Sequence, residues 1–459
     1  MRHTHLALLF IVLAALVTGC AQPARVADPA PEAFPLPVHY HTLDNGLKVV
    51  LSEDATAPIA TVAVYYHIGF RNEPQDRTGF AHLFEHMMFQ GSDNLGKMEF
   101  VKLVQGVGGS LNGSTRFDYT NYFQIVPAHV IETVLWAEAD RMRSLAVTQE
   151  NLVNQQEVVK NEVKVNVLNQ PYGGFPWLDM PQYANENWFN AHNFYGDLED
   201  LDAATLDDVR SFFDAYYPPS NAVVVVVGDI EPAETLTMVQ RYFGDIRTAP
   251  KPAQPDISEP LQTAEKRFNR FDPLAPRPGL AFAYHAPPRG APEHYAMTLL
   301  TMILAQGEDS LLHRRLVNER GYTSSVYGGI NMLLGNPFNY EGPMLFTSYL
   351  IHDPEHSADQ IMADIDDVIE RLRNEPVDAA TLDRAKVRFR SEHYDMLASG
   401  FGRADLLASY ALFDDNPAGI RDIEPGILAV TPALLLATAK EYLRPTNRTV
   451  LTLEAGAQQ

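Results

Sequence analysis

"TLDDVRSFFDAYYPPSNAVVVVVGD" occupies residues 205–229, and "TPALLLATAKEYLRPTNRTVLTLEA" occupies 431–455. The two align without a gap. Thr205 meets Thr431, Tyr216 meets Tyr442, Pro219 meets Pro445 and Asn221 meets Asn447. Each reads as a helix, a Pro/Asn turn and a β-rich run. A weaker echo pairs "FQGSDN" (89–94) with "AQGEDS" (305–310). Self-similarity at long range sets the architecture before any local detail does. It predicts two homologous domains, 38–247 and 267–459, joined by a linker at 248–266 whose first part, "TAPKPAQPDISEP" (248–260), is Pro-rich.

Local patterns supply the class. "HYHTLDNGLKVVL" (39–51) places Asn45-Gly46 between alternating apolar residues, a hairpin signal. "IATVAVYYHIG" (59–69) reads as a strand, about 78–90 as a helix ending near Gly91, and "SLNGSTRFDYTNYFQIV" (110–126) as one strand. Residues 128–169 read as long amphipathic helices with a break. The expected fold is α+β: in each domain, a mostly antiparallel sheet covered by helices.

Composition bounds the function. The 459 residues carry 58 acids against 35 bases, a formal net charge of -23. A nucleic-acid binder needs a basic footprint, so that class is excluded. Near the N-terminus, the apolar run "LALLFIVLAALV" (6–17) is too short to span a bilayer but fits a secretory signal. Val17-Thr18-Gly19-Cys20 resembles a bacterial lipobox. That resemblance implies a signal peptide at 1–19, lipidation of Cys20 and, with Ala21 following, a place in the bacterial periplasm anchored to the outer membrane. Residues 20–37, rich in Pro and Ala, read as an extended tether. Cys20 is the chain's single cysteine, so a disulfide within it is excluded.

The chemistry sits in "HLFEH" (82–86). On a helix, residues three and four apart share a face. His82, Glu85 and His86 therefore converge. Two imidazoles at i, i+4 make half a zinc site, and a carboxylate beside them is placed to move a proton from water to a leaving amine. The order H-x-x-E-H is the inverted zincin signature. The plain alternative is three polar residues on an ordinary helix. A third ligand is needed, and the candidates lie on "NQQEVVKNEVKVNVLNQPYGG" (154–174).

"GFAHLFEHMMFQGS", "GGSLNGSTRFDYTNY", "VVKNEV…NQPYGG" and "YYPPSNAVVVVVGD", in this order, resemble the pitrilysin/insulinase-like inverted-zincin metallopeptidases, which include the mitochondrial processing peptidase. The resemblance covers about 38–455. It implies Zn2+ held by His82, His86 and Glu162, with Glu85 as the base while zinc-bound hydroxide attacks a peptide carbonyl. Glu157 competes with Glu162 but falls outside the matching V-V-x-x-E pattern. Gln155 stands where many relatives carry a supporting glutamate. The resemblance also implies that 108–122 is an edge strand on which an extended peptide adds, with Asn112 and Gly113 against the substrate backbone.

The second half lacks H-x-x-E-H. Relatives carry there an Arg and a Tyr seven residues apart. In "HRRLVNERGYTSSVYGG" (313–329) an ungapped match puts Val317 and Ser324 at those positions, whereas a shift of two residues recovers Arg315 and Tyr322. The expected protein is a lipid-anchored zinc endopeptidase acting on peptides or unfolded segments. A homologous partner chain bearing the Arg/Tyr pair would complete its chamber. The rivals are a self-sufficient homodimer and a non-catalytic scaffold subunit.

Overall fold

The computed structural model describes residues 36–456. The expected signal peptide, Cys20 and all of the expected tether but Leu36 and Pro37 lie outside the described residues. The described chain is built on two sheets. The first contains β1 (His39–Thr42), β2 (Lys48–Glu53), β3 (Ile59–Tyr66), β4 (Ser110–Thr115), β5 (Thr120–Pro127) and β6 (Ala222–Gly228), in the order β1-β2-β6-β3-β5-β4. The second contains β7 (Lys266–Asp272), β8 (Gly279–His285), β9 (Tyr327–Ile330), β10 (Leu345–Ile351) and β11 (Arg448–Ala455), in the order β7-β11-β8-β10-β9. Both are mixed. All neighbours run antiparallel except β2–β6 and β7–β11. Strand β1 apart, one order maps onto the other, and β6 and β11 end the two quoted repeats.

The five valines of β6 have no polar alternation because both faces are covered. Val224 and Val226 join a core with Val62, Val64, Phe80, Phe84 and Val134. Val223, Val225 and Val227, which point the other way, are also buried. On this strand packs helix Gly400–Asp414, from the second half of the chain. The cover is reciprocal. Phe175, Met180 and Ala184, from the first half, pack with Ala281, Ala283, Leu451 and Leu453 of the second sheet.

Polar contacts reinforce this exchange. Arg403 pairs with Asp54 at 2.7 Å. Buried Arg71 pairs with Asp118 at 2.9 Å and donates to Pro343 O. Buried Asp405 accepts from Tyr65 and Tyr119 on one oxygen, and from Asn336 and Asn339 on the other.

One local expectation is corrected. Residues 110–126 form a hairpin, not a single strand. Arg116 N donates to Tyr119 O at 2.8 Å and closes the turn, while Phe70 N and Arg71 N donate to the Arg116 and Phe117 carbonyls and pin it. Of the hairpin's two strands, only β4 lies at a sheet edge. The hairpin at Asn45-Gly46 forms, with Gly46 at φ 88°.

Candidate metal centre

Four helices of the first half follow in order: α1 (Phe80–Met87), α2 (Glu99–Gly106), α3 (Ile131–Arg143) and α4 (Gln149–Val163). Helix α1 starts at Gly79, whose φ of 80° and missing side chain leave the first N–H groups uncapped. Glu73, fully buried, takes that role: its carboxylate accepts Gly79 N at 2.8 Å and Ala81 N at 2.6 Å. A carboxylate there also suits the positive end of the helix dipole.

The next turn presents His82, Glu85 and His86 on one face. Helix α4 brings Glu162 against them, just before the backbone widens into a π turn at Lys164–Leu168, a feature frequent at functional sites. His86 Nε2 stands 3.2 Å from Glu162 Oε2, and His82 Nε2 stands 3.7 Å from Oε1. One ligand atom from each of the three lies within 4.8 Å of the others. A tetrahedral zinc with bonds of about 2.1 Å needs ligand atoms roughly 3.4 Å apart, so this donor set fits. Burial, then the neighbouring His86, pushes the His82 imidazole down to about 3, leaving it neutral, the form that binds metal. Burial pushes Glu162 up, but the hydrogen bonds from His86 and Tyr195 outweigh it and hold the carboxyl below its ordinary range.

Glu85 lies at the same spot. Burial raises its carboxyl above the ordinary value, against a hydrogen bond from Thr115 Oγ1 at 2.8 Å. Strand β4 passes directly over it. A Cβ on Gly113 would meet Glu85 Cγ at 3.2 Å, so glycine permits the approach. Gly113 stays in register opposite Tyr122, without a bulge, and Asn112 beside it is exposed. Glu157 is elsewhere, exposed and paired with Lys160 at 2.5 Å. Gln155 is buried, its amide donating to Asn154. Arg315 and Tyr322 both bond Asp364 of helix Ala358–Asn374, with Tyr322 Oη 2.7 Å from that carboxylate.

Three supporting residues carry no spacing signal in the sequence: Glu73, Thr115 and Tyr195. Tyr195 Oη donates to Glu162 Oε1 at 3.2 Å, and its ring packs on His82 at 5.1 Å. The centre opens into a cavity of about 420 Å³. Trp177, Phe194, Leu333 and Leu334 line it, the leucines coming from the second half.

Residues 48–188 match the model of the insulinase family, peptidase family M16, and residues 203–389 match that of the peptidase M16 inactive domain. The chain belongs to peptidase family M16. This M16 chain is 28% identical to the zinc protease PqqE of Helicobacter pylori over 428 residues, which is 91% of this chain and 93% of that protein. The crystal structure of a protease from Helicobacter pylori matches at TM-score 0.85 and 26% identity, covering 92% of this chain and 100% of that one. The periplasmic protease PqqL from Escherichia coli has the same fold, at TM-score 0.73 and 16% identity; the match covers 92% of this chain and 48% of that longer one.

Proposed function

We propose that this M16 chain is a zinc-dependent endopeptidase that cleaves peptides or unfolded segments. One observation carries the reading: the His82, His86 and Glu162 ligand atoms meet beside Glu85, beneath the edge strand β4. Those three residues would hold a zinc ion, which would supply Lewis acidity to make water a nucleophile at neutral pH and to stabilise developing negative charge. The Glu85 carboxylate takes the proton of the attacking water and returns it to the leaving amine. Burial, which raises its basicity, suits that exchange. Thr115 orients Glu85, and Tyr195 orients Glu162. The free edge of β4 pairs with the extended substrate, with Asn112 and Gly113 against its main chain.

The chamber is completed by a second homologous chain. Neither Val317 and Ser324 nor Arg315 and Tyr322 line the cavity in this chain, and Asp364 already engages the latter pair. The Escherichia coli protease, about twice as long, supports a working unit of two such modules. Cys20 carries a lipid that tethers the protein in the periplasm, at the outer membrane.

The test pairs zinc content with cleavage of an unstructured fluorogenic peptide. Wild type binds one zinc and cleaves, and Glu85→Gln binds zinc and does not cleave. A zinc-loaded wild type that leaves such peptides intact, alone and with its homologous partner, overturns the reading.

A further inference from the structure

Among the described lysines and arginines, Arg116 alone lines the metal-site cavity. It sits in the β4–β5 turn, one residue beyond the Thr115 that bonds Glu85. Its backbone is fixed on both sides, with its N–H on Tyr119 O and its carbonyl accepting from Phe70 N. The guanidinium itself makes no hydrogen bond, ion pair or ring contact among the described residues. Nearby Arg71 is the opposite case: buried, paired with Asp118 and donating to Pro343 O. Half-buried, Arg116 lines the cavity wall together with Thr115 and Glu85.

An arginine carries five donors in a rigid fork that matches a carboxylate. Here the fork is unused, half-buried and held on a rigid turn at the end of the strand on which a peptide would lie. The charge balance points the same way. With a dication on His82, His86 and Glu162, the carboxylates of Glu85 and Glu162 offset its two charges. Arg116 is then the uncompensated charge of the cavity. The chain's overall negative field acts over longer distances and is screened beyond about 8 Å at physiological salt.

We infer that Arg116 is a specificity-determining residue that selects peptides carrying a carboxylate within two or so residues of the scissile bond. The carboxylate is an Asp or Glu side chain or the peptide's own C-terminus. A residue in β4 advances about 3.3 Å along the strand, so Arg116 reaches only substrate positions next to those over Glu85. This inference rests on the peptidase reading for its substrate class, and binding tests it apart from turnover.

The experiment uses the full zinc-loaded chain with Glu85→Gln, so that bound peptide persists. Fluorescein-labelled octapeptides of one sequence carry Glu, Gln or Lys in turn at each central position, each with a free or an amidated C-terminus. Anisotropy gives their Kd. The expected result is that a Glu peptide, or a free C-terminus, binds at least tenfold tighter than its neutral counterpart. Added Arg116→Gln should erase that preference, and added Arg116→Glu should turn it toward Lys. Which series responds identifies the source of the carboxylate. Equal Kd values across the series, or an acid preference that survives Arg116→Glu, overturn the inference; so does a chain that binds none of the peptides. Parallel cleavage by the wild type separates the two claims. Cleavage without acid preference leaves the peptidase and removes the role of Arg116. Acid-selective binding without cleavage does the reverse.

Discussion

Tyr195→Phe deletes one oxygen and leaves the ring. The lost atom donates to Glu162 Oε1 at 3.2 Å, while the ring contacts with His82 at 5.1 Å and Trp177 at 5.9 Å persist in phenylalanine. A hydrogen bond to a charged acceptor contributes about 1.5–3 kcal/mol. Glu162 has a second donor at the same oxygen, Asn166 Nδ2, but at 3.5 Å and in an exposed setting, so it replaces little of the loss. Because 1.4 kcal/mol is tenfold in a binding constant, the variant should bind zinc about 10- to 100-fold more weakly, the range that outer partners of metal ligands typically command. Folding stability of the zinc-free protein should fall by no more than that hydrogen bond contributes, because the ring stays and no cavity opens. Competition for zinc with a chromophoric chelator measures the affinity, and urea unfolding of the apoprotein measures the stability. An affinity within threefold of wild type would refute the claim that Tyr195 orients Glu162.

Three further perturbations separate the assignments. Glu162→Gln should remove most bound zinc while Glu157→Gln retains it, as counted by metal analysis after dialysis, since only the former touches the histidines. Asp405→Ala strands three buried donors and the half-buried Asn336 at the junction of the two halves and should cost about 2–4 kcal/mol, read as a lower urea midpoint at unchanged slope. Burial, with Arg289 adding for His294, pushes the His294 and His393 imidazoles down to about 4. Depressed folded values mean that the unfolded chain binds more protons below the unperturbed value of about 6.5, so stability present above that pH falls as pH drops toward 4, by at most about 3 kcal/mol per group. His294→Gln should flatten that slope, and an unfolding free energy identical at pH 7 and pH 4.5 in wild type would contradict both assignments.

The repeat was legible because it is written in short-range terms: a capping threonine, a helix, a Pro/Asn turn and a strand. Thr205 and Thr431 do cap their helices, and Asn221 and Asn447 both donate to the carbonyl five residues back, at Tyr216 and Tyr442. The turn at 116–119 escaped reading because Arg-Phe-Asp-Tyr contains neither glycine nor proline, and it is held by contacts with Phe70 and Arg71 far back in the chain. The parallel β2–β6 and β7–β11 pairs escaped for a similar reason. Strand β6 is about 170 residues beyond β2, and nothing local in either states the partner's direction. His82, Glu85 and His86 announce themselves because one helix turn carries all three. Glu73, Thr115 and Tyr195 arrive at the centre through three separate segments, and no spacing within any one of them records it.

The geometry also bears on why two homologous halves remain one chain. Each sheet has one face covered by its own helices and the other by a segment from the opposite half: helix Gly400–Asp414 on the first sheet, and Phe175 to Ala184 on the second. Severing the halves would expose the outward valines of β6, Val223, Val225 and Val227, and uncover the Arg71–Asp118 pair, whose desolvation is sustained only while Pro343 and the backbone N–H of Glu341 complete its hydrogen bonds. The same contacts set the walls of the metal-site cavity, because Leu333 and Leu334 belong to the loop that Asn339 ties to Tyr119 and Asp405. The half without H-x-x-E-H therefore has a defined physical task within its own chain. It buries the back of the sheet whose edge strand lies over Glu85, and it supplies apolar wall to the cavity that carboxylate lines.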